Sequence, residues 1–306
     1  MSVMNQDGIL HISLLEGQAR AILTESTQVV QRAKDIHGLS KIAAAALGRT
    51  LTATAMMGSM LKGRDESVTA SIKGGGPIGT VLAVADADGS VKGYVDNPAI
   101  DLPRTGSKLP VGAAVGKNGR LSVIKDLRLR EPYVGQVNLV SGEIAEDFAM
   151  YFTASEQTPS LVSLGVLVSD ERVESAGGLI VQLMPGASES AIRSIEASAG
   201  MFMDISGTMK EYHLDGAVTQ LLLHLQPQVL ERREVRYACD CSRERVERAL
   251  ITLGTEELTD MIQTQHGAQV DCHFCNKRYS FTEAELSALL AAAQTRDEAQ
   301  NKPTTV

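Results

Sequence analysis

The chain has 306 residues, 43% of them apolar and 22% charged, a globular composition long enough for about two domains. Tryptophan is absent, aromatics make up only 4% and the formal charge is -8, which argues against base-stacking platforms and a phosphate-binding surface as its main business. The N-terminal Met-Ser-Val-Met-Asn-Gln-Asp has no basic segment followed by an apolar core, and Ile42–Leu61 is interrupted by Arg49 and several Thr and Ser. Secretory signal and membrane span are therefore not expected, and a cytoplasmic chain is.

In chain order, residues 8–24 carry short apolar runs that predict a hairpin or two edge strands. Val29, Val30, Ala33 and Ile36 recur at helical spacing, with Gly38 as the stop. Ser40 caps a second predicted helix running to about Leu61, apolar nearly all round and so expected to be buried. From Ser67 to Leu183 the pattern is mostly β. Strand candidates are 68–72, 81–85, 91–95, 121–124, 134–140, 161–168 and 179–183, with Ala87-Asp88-Gly89-Ser90 as a turn. One helix interrupts them. Ile144, Phe148, Tyr151 and Phe152 share one face, and Ser141 is the predicted N-cap. Strand runs with scattered helices predict α+β rather than a βαβ alternation.

Pro185-Gly186 marks a break. Helical patterns follow at 188–199 and 215–225, closed by Pro227, so 186–230 is predicted as a helical linker after an α+β core of 1–185. The linker carries Met201, Phe202, Met203, Ile205, Met209, Leu221, Leu222 and Leu225, and flexible Met is ordinarily core filler. Residues 231–295 form a third, compositionally distinct segment. Helices are predicted at 242–253 and 255–261 on either side of Gly254, and Thr282-Glu283-Ala284-Glu285 is a capping box that opens a last helix. A polar tail, 296–306, is expected to be flexible.

All four cysteines lie in that third segment, as Cys239-Asp-Cys241 and, thirty residues on, Cys272-His-Phe-Cys275. Residues i and i+2 of an extended segment face one way, so Cys239 and Cys241 can approach one ion, and a Cys-x-x-Cys turn can meet them from the other side. Four thiolates suit tetrahedral zinc and leave no open position for substrate, favouring a structural or switching metal over a catalytic one. Four alternatives fit less well. A secreted disulfide framework lacks its signal. A thioredoxin-type Cys-x-x-Cys needs a βαβ setting, whereas Cys272 and Cys275 lie between the short apolar pieces 268–270 and 279–281. Four unrelated buried cysteines do not fall in two close pairs, and iron–sulfur spacings differ. His266 and His273 are alternate ligands beside an already complete set. Arg243, Arg245, Lys277 and Arg278 either favour thiolate or form a solvated face.

Other motifs carry less. Gly74–Gly79 matches G-x-G-x-x-G, but Pro77 sits inside it and a strand follows, so it reads as a glycine turn rather than a dinucleotide site. No Walker motif or nucleophile elbow is present, and His11, His37, His213 and His224 form no catalytic set. Arg232, Arg233, Arg236, Arg243, Arg245 and Arg248 support a rival nucleic-acid reading, yet Glu231, Glu234, Glu244 and Glu247 interleave with them. A thiol oxidoreductase is a second rival.

With the cysteine set in place, the chain resembles the 33 kDa chaperonin family, the redox-regulated heat-shock holdases of bacteria. The resemblance spans about residues 8–291. It also rests on Gly74-Gly75-Gly76-Pro77-Ile78-Gly79, Gly93-Tyr94-Val95-Asp96-Asn97-Pro98, Val140-Ser141-Gly142-Glu143, Ser155-Glu156-Gln157-Thr158-Pro159-Ser160 and Gln182-Leu183-Met184-Pro185. It implies a non-enzymatic chaperone that works without nucleotide. One Zn2+ per chain is held by Cys239, Cys241, Cys272 and Cys275 in the reduced, inactive form. Oxidation would release it and form Cys239–Cys241 and Cys272–Cys275; the sequence alone leaves three connectivities open. The loosened linker would then bind unfolding clients, commonly as a homodimer, with Met201, Phe202, Met203, Leu221, Leu222 and Leu225 as candidate client contacts. No nucleic-acid or membrane partner is expected.

Overall fold

A computed structural model describes residues 7–103, 106 and 108–300, with side chains described through Gln294. The chain divides into two compact units, up to Ala238 and from Cys239 onward. The α+β class expected from the sequence is observed.

The first unit is organised around one helix. α1 (Thr27–His37) leads into α2 (Lys41–Ser59), and α2 is buried except at Lys41 and Arg49. Ser40 Oγ accepts the Ala43 N–H at 3.2 Å, the expected cap, and Gly38 closes α1 in the left-handed region at φ 59°. The buried threonines of α2 hide their own polarity. Thr50, Thr52 and Thr54 donate to the carbonyls of Ala46, Gly48 and Thr50 one turn back, at 2.7–2.9 Å.

α2 packs between two sheets. One is antiparallel and five-stranded, in the order β10 (Gln228–Glu234), β1 (Gly8–Leu14), β2 (Ala19–Glu25), β9 (Val173–Leu183), β8 (Ser160–Val168). The other runs β11 (Arg236–Tyr237), β5 (Ser90–Val95), β4 (Thr80–Asp86), β3 (Ser67–Lys73), β6 (Arg120–Asp126), β7 (Tyr133–Asn138), with only β11–β5 parallel. Small residues let the helix approach. A Cβ on Gly48 would lie 2.8 Å from Val30 Cγ1 and 2.9 Å from Val166 Cγ2. The 74–79 segment joins β3 to β4 as a turn, and Gly75 and Gly79 have φ of 76° and 75°. The dinucleotide alternative is thereby excluded, since no helix opens there.

Period-2 alternation sends the five-stranded sheet into two cores. Ile9, Ile22, Ala176 and Ile180 face α2, while Leu10, Ile12, Leu23, Leu179 and Val181 face the opposite way. That second face is covered by the segment predicted as a linker. α5 (Glu189–Ser198), α6 (Ile205–Ala217) and the turns up to Leu225 bury Ile195, Phe202, Ile205, Met209, Leu214, Leu221, Leu222 and Leu225 against it. The linker apolar content has a core after all, and only Met201 and Met203 of the run 201–203 stay exposed.

β1 and β2 pair as the expected hairpin, Gly8↔Glu25 to Leu14↔Ala19. They are not edge strands, because β10 pairs along β1. The helical pattern expected over 215–225 is observed, as the end of α6 at Ala217 carried on by a π-helical turn, Val218–Leu222, and a 3-10 turn, Leu223–Leu225. Ahead of it His213 breaks α6 at φ 54°, and the Leu214 N–H donates at 2.9 Å to the buried Glu25 carboxylate rather than one turn back. Ser141 does not cap α4 (Ala145–Ala154). Ile144 stands at the N-cap position, and buried Asp147 accepts the N–H groups of Val140, Ser141 and Ile144 at 2.7–3.2 Å.

The second unit holds α7 (Arg243–Leu253), α8 (Thr255–Gln265), the antiparallel pair β12 (Gly267–Asp271) and β13 (Arg278–Thr282), and α9 (Glu283–Gln300). The capping box at α9 is present: Thr282 Oγ1 accepts from Glu285 N, and Glu285 Oε2 accepts from Thr282 N at 2.8 Å. The segment predicted as a tail begins inside α9, and 301–306 lie outside the described residues. The division between units falls after Ala238, so 231–238, grouped by composition with the cysteines, contributes strands to the first unit.

Two outcomes follow from this packing. Gly48→Val is expected to lower unfolding stability by at least about 2 kcal/mol, because α2 has no room to shift; an unchanged urea midpoint would contradict the close approach. Asp7 is buried beneath the start of α1 and accepts the Val29 N–H at 2.7 Å. Burial, with repulsion from Glu25, outweighs its backbone hydrogen bonds and pushes its carboxyl up to about 7. An unfolded Asp titrates near ~3.9. The folded chain therefore binds more protons than the unfolded chain between those values, and stability falls as pH rises through that window and levels off above it. Asp7→Asn is expected to flatten this slope, measured by urea midpoints across the window; a slope that persists in the variant would contradict it.

Candidate metal centre

Cys239 and Cys241 lie immediately after β11, and Ser242 follows as the N-cap of α7, its Oγ accepting from Arg245 N at 3.3 Å. The strand exit thus presents both sulfurs before the helix begins. Cys272 and Cys275 sit in the turn between β12 and β13. Cys272 N donates to Lys277 O at 2.9 Å and Asn276 N to Cys272 O at 2.8 Å, with Asn276 in the left-handed region at φ 57°. The ladder Asp271↔Arg278 closes that turn, reinforced by Arg278 donating to both Asp271 oxygens at 2.7 and 2.8 Å.

The two segments bring all four Sγ atoms within 4.8 Å of one another, each partly buried. Two close approaches run between segments, Cys241–Cys275 at 3.3 Å and Cys239–Cys272 at 3.7 Å. His266 and His273 are not part of the cluster, and His266 Nδ1 lies 3.6 Å from Glu283. Four convergent sulfurs and no histidine form a donor set that fits a soft or borderline cation in tetrahedral coordination. This chain can hold a metal there through Cys239, Cys241, Cys272 and Cys275.

The thiols are inequivalent. Burial pushes the Cys239 and Cys275 thiols up, and each shares hydrogen bonds with neighbouring thiols. Burial works against ionising Cys241 too, but the Tyr279 hydroxyl and the surrounding thiols bring it down to about 7. The Tyr279 hydroxyl donates to Cys241 Sγ at 3.1 Å across 38 positions of sequence. The sequence analysis missed this donor, because a tyrosine on an alternating strand reads as core.

The nearby arginines are paired. Arg245 meets Asp240, Arg243 meets Glu247 at 3.2 Å and Glu285 at 2.6 Å, and Arg278 meets Asp271. In the first unit Arg232, Arg233 and Arg236 pair with Asp215, Glu231 and Asp88. This pairing agrees with the salt-bridged face over the nucleic-acid alternative.

The unit around the cluster has little else to hold it. Among its described residues the buried apolar core is Leu250, Leu258, Tyr279, Phe281, Leu286 and Ala293. Six fully buried side chains, with partly buried ones such as Val246, Ile251 and Leu289 packed against them, are a small core for a unit of this length.

A family model described as Hsp33 protein matches residues 7–282. The chain belongs to the Hsp33 family. A "33 kDa chaperonin" of Clostridioides difficile is 47% identical over 287 residues, covering 93% of this chain and 99% of that protein. Another, from Acetivibrio thermocellus, is 46% identical and covers 93% and 97%. The crystal structure of the 33 kDa chaperonin (heat shock protein 33 homolog) from Thermotoga maritima superposes with a TM-score of 0.85 at 36% identity, covering 95% of this chain and 99% of that one. The resemblance seen in the sequence thus extends to the whole fold, and the family is one of chaperones. Among the described residues no helix is long and apolar enough to cross a membrane.

Zinc titration of the reduced chain against a chromophoric chelator is expected to show one tight site, weakened at least about a hundredfold by Cys→Ser at any of the four positions. Equal affinity in a Cys241→Ser variant would contradict a shared four-sulfur site.

Proposed function

We propose that this Hsp33-family chain is a redox-regulated, ATP-independent holdase that binds unfolding proteins after oxidation of zinc-bound cysteines. The observation that carries this is the convergence of four sulfurs in a unit whose own core is very small. In this proposal the chain comprises a core chaperone domain (1–185), a helical linker (186–230), a zinc-binding switch domain (231–295) and a tail (296–306). It acts in the cytoplasm, on unfolded or partly folded clients, with no nucleic-acid or membrane partner and no catalytic turnover.

In the reduced form one zinc ion sits on Cys239, Cys241, Cys272 and Cys275. When bound, it supplies a cross-link between the strand exit and the β12–β13 turn. Structural zinc sites contribute about 10–16 kcal/mol of apparent folding free energy near neutral pH. A unit with six buried apolar residues does not keep its fold without that contribution.

Peroxide-type oxidants convert the thiolates to Cys239–Cys241 and Cys272–Cys275, as the family resemblance implies. Close sulfur approaches of 3.3 and 3.7 Å run across the two segments, so neighbour pairing has the sulfurs give up those contacts as the ligand set is lost. The chain that leaves Cys239 runs directly back into β11 and β10, which continue from the linker. Loss of order at 239 therefore reaches the linker along the backbone.

The client surface proposed from the sequence fits this scheme. Met201 and Met203 are 49% and 79% exposed, whereas Phe202, Leu221, Leu222 and Leu225 are buried on the five-stranded sheet. They are a stored apolar surface, hidden while the linker is docked and released when it loosens. Flexible Met beside Leu suits many clients. A homodimer is the proposed active form.

Zinc release and suppression of client aggregation, followed together before and after peroxide with mild heat, test the proposal. Both are expected to rise together; retained zinc, or activity indifferent to oxidation, would contradict it. Photo-crosslinking from 200–225 to a bound client is expected in the oxidised form only, and labelling confined elsewhere would remove those residues from the client surface.

A further inference from the structure

Besides the contacts between thiols, two kinds of hydrogen-bond donor reach the cysteine sulfurs. Cys239 and Cys275 take main-chain N–H donors, from Cys241 and Lys277. Cys241 takes a side-chain donor, the Tyr279 hydroxyl at 3.1 Å. A main-chain donor comes with any sequence that adopts the turn. The phenol is a separate choice made by this chain, and one substitution removes it without touching the backbone.

Tyr279 is firmly placed. It sits on β13 opposite Val270 and is 5% exposed, within the small core that also holds Leu250, Leu258, Phe281 and Leu286. The Lys277 ammonium lies 5.0 Å from the centroid of its ring. A cation over the π face withdraws electron density and makes the phenol a better donor. The hydroxyl therefore has both the position and the polarity to hold a sulfur lone pair. On a sulfur already held as thiolate in a metal-loaded cluster, a donor adds nothing to the ionised fraction, and the lone-pair density it engages is less available to attack an electrophile.

From this geometry we propose that the Tyr279 hydroxyl acts as a brake on oxidation, lowering the nucleophilicity of the Cys241 sulfur and so raising the oxidant threshold of the cysteine cluster. The inference rests on the redox-switch proposal above. In the step it slows, the Cys241 thiolate attacks one oxygen of hydrogen peroxide. The S–O bond forms as the O–O bond breaks, leaving a sulfenic acid and hydroxide. A second thiolate of the cluster then displaces hydroxide from that sulfur to make the disulfide. Two thiolates and one peroxide thus give one disulfide and two hydroxide ions, with two electrons passing from sulfur to peroxide. Tyr279 is a positioning residue in this step: it is neither oxidised nor a ligand.

Tyr279→Phe keeps the ring and its packing and removes only the donor. Zinc-loaded, reduced full-length protein is mixed with hydrogen peroxide, and zinc release is followed with a chromophoric chelator. The same release is followed without peroxide. The variant is expected to release zinc roughly three- to tenfold faster with peroxide, with the peroxide-free leak unchanged. Peroxide-driven release at the wild-type rate overturns the proposal. So does a leak that rises by the same factor, since that marks a merely structural role. Leu286→Ala controls for looseness: it trims the same small core but keeps the hydroxyl, so its peroxide rate should exceed wild type by no more than its leak does, and a larger rise overturns the proposal. If wild-type protein retains its zinc under peroxide, the switch itself fails and this inference falls with it; if wild type releases zinc but the variant is no faster, only the brake fails.

Discussion

The convergence of four sulfurs from two short segments is the constraint on which the C-terminal unit depends. Cys239 and Cys241 come from a strand exit, Cys272 and Cys275 from a tight turn beyond thirty intervening residues, and the fully buried apolar core beside them is small. In the proposed switch, the stability of such a domain is set by sulfur chemistry more than by buried area, and a reagent that takes sulfur electrons acts on its folding equilibrium.

The N-terminal unit is built on the opposite principle. α2 is buried on nearly every side, its threonines satisfied one turn back and its glycine and alanines admitting two sheets at close range. This core contains no cysteine. Between these extremes is the segment over the outer face of the five-stranded sheet. Its apolar side chains are buried, but its helix is broken at His213 and held there by the Glu25 carboxylate, and its last strand runs on toward Cys239. One chain therefore contains a rigid scaffold, a conditionally stable domain, and an intermediate layer that belongs structurally to the first and is tied covalently to the second.

Residue pattern made part of this legible. The buried α2, the cap at Ser40, the capping box at Thr282 and the glycine turn at 74–79 all follow from local chemistry that tertiary context leaves intact. The cysteine cluster was legible because ligand type and spacing leave few uses for four thiols. β10 was not. Gln-Val-Leu-Glu-Arg-Arg-Glu lacks apolar alternation, and only pairing with β1 makes it a strand. The helical spacing of Val218, Leu221, Leu222 and Leu225 was legible, but the break at His213 was not, because it depends on the Glu25 carboxylate far away in sequence. Asp147 displaced Ser141 as the cap because a carboxylate can take several N–H groups where a hydroxyl takes one. The Tyr279–Cys241 bond joins positions 38 apart and exists only once β13 is laid against β12.

Amide hydrogen exchange of the zinc-loaded chain before and after peroxide tests most directly whether sulfur chemistry governs folding in one unit and is relayed to the next. The account predicts that protection is lost across 239–300 and falls over 186–238, while α2 and the strands around it stay protected. Unchanged protection in 239–300 after the metal has left, or loss spread evenly over the whole chain, would contradict it.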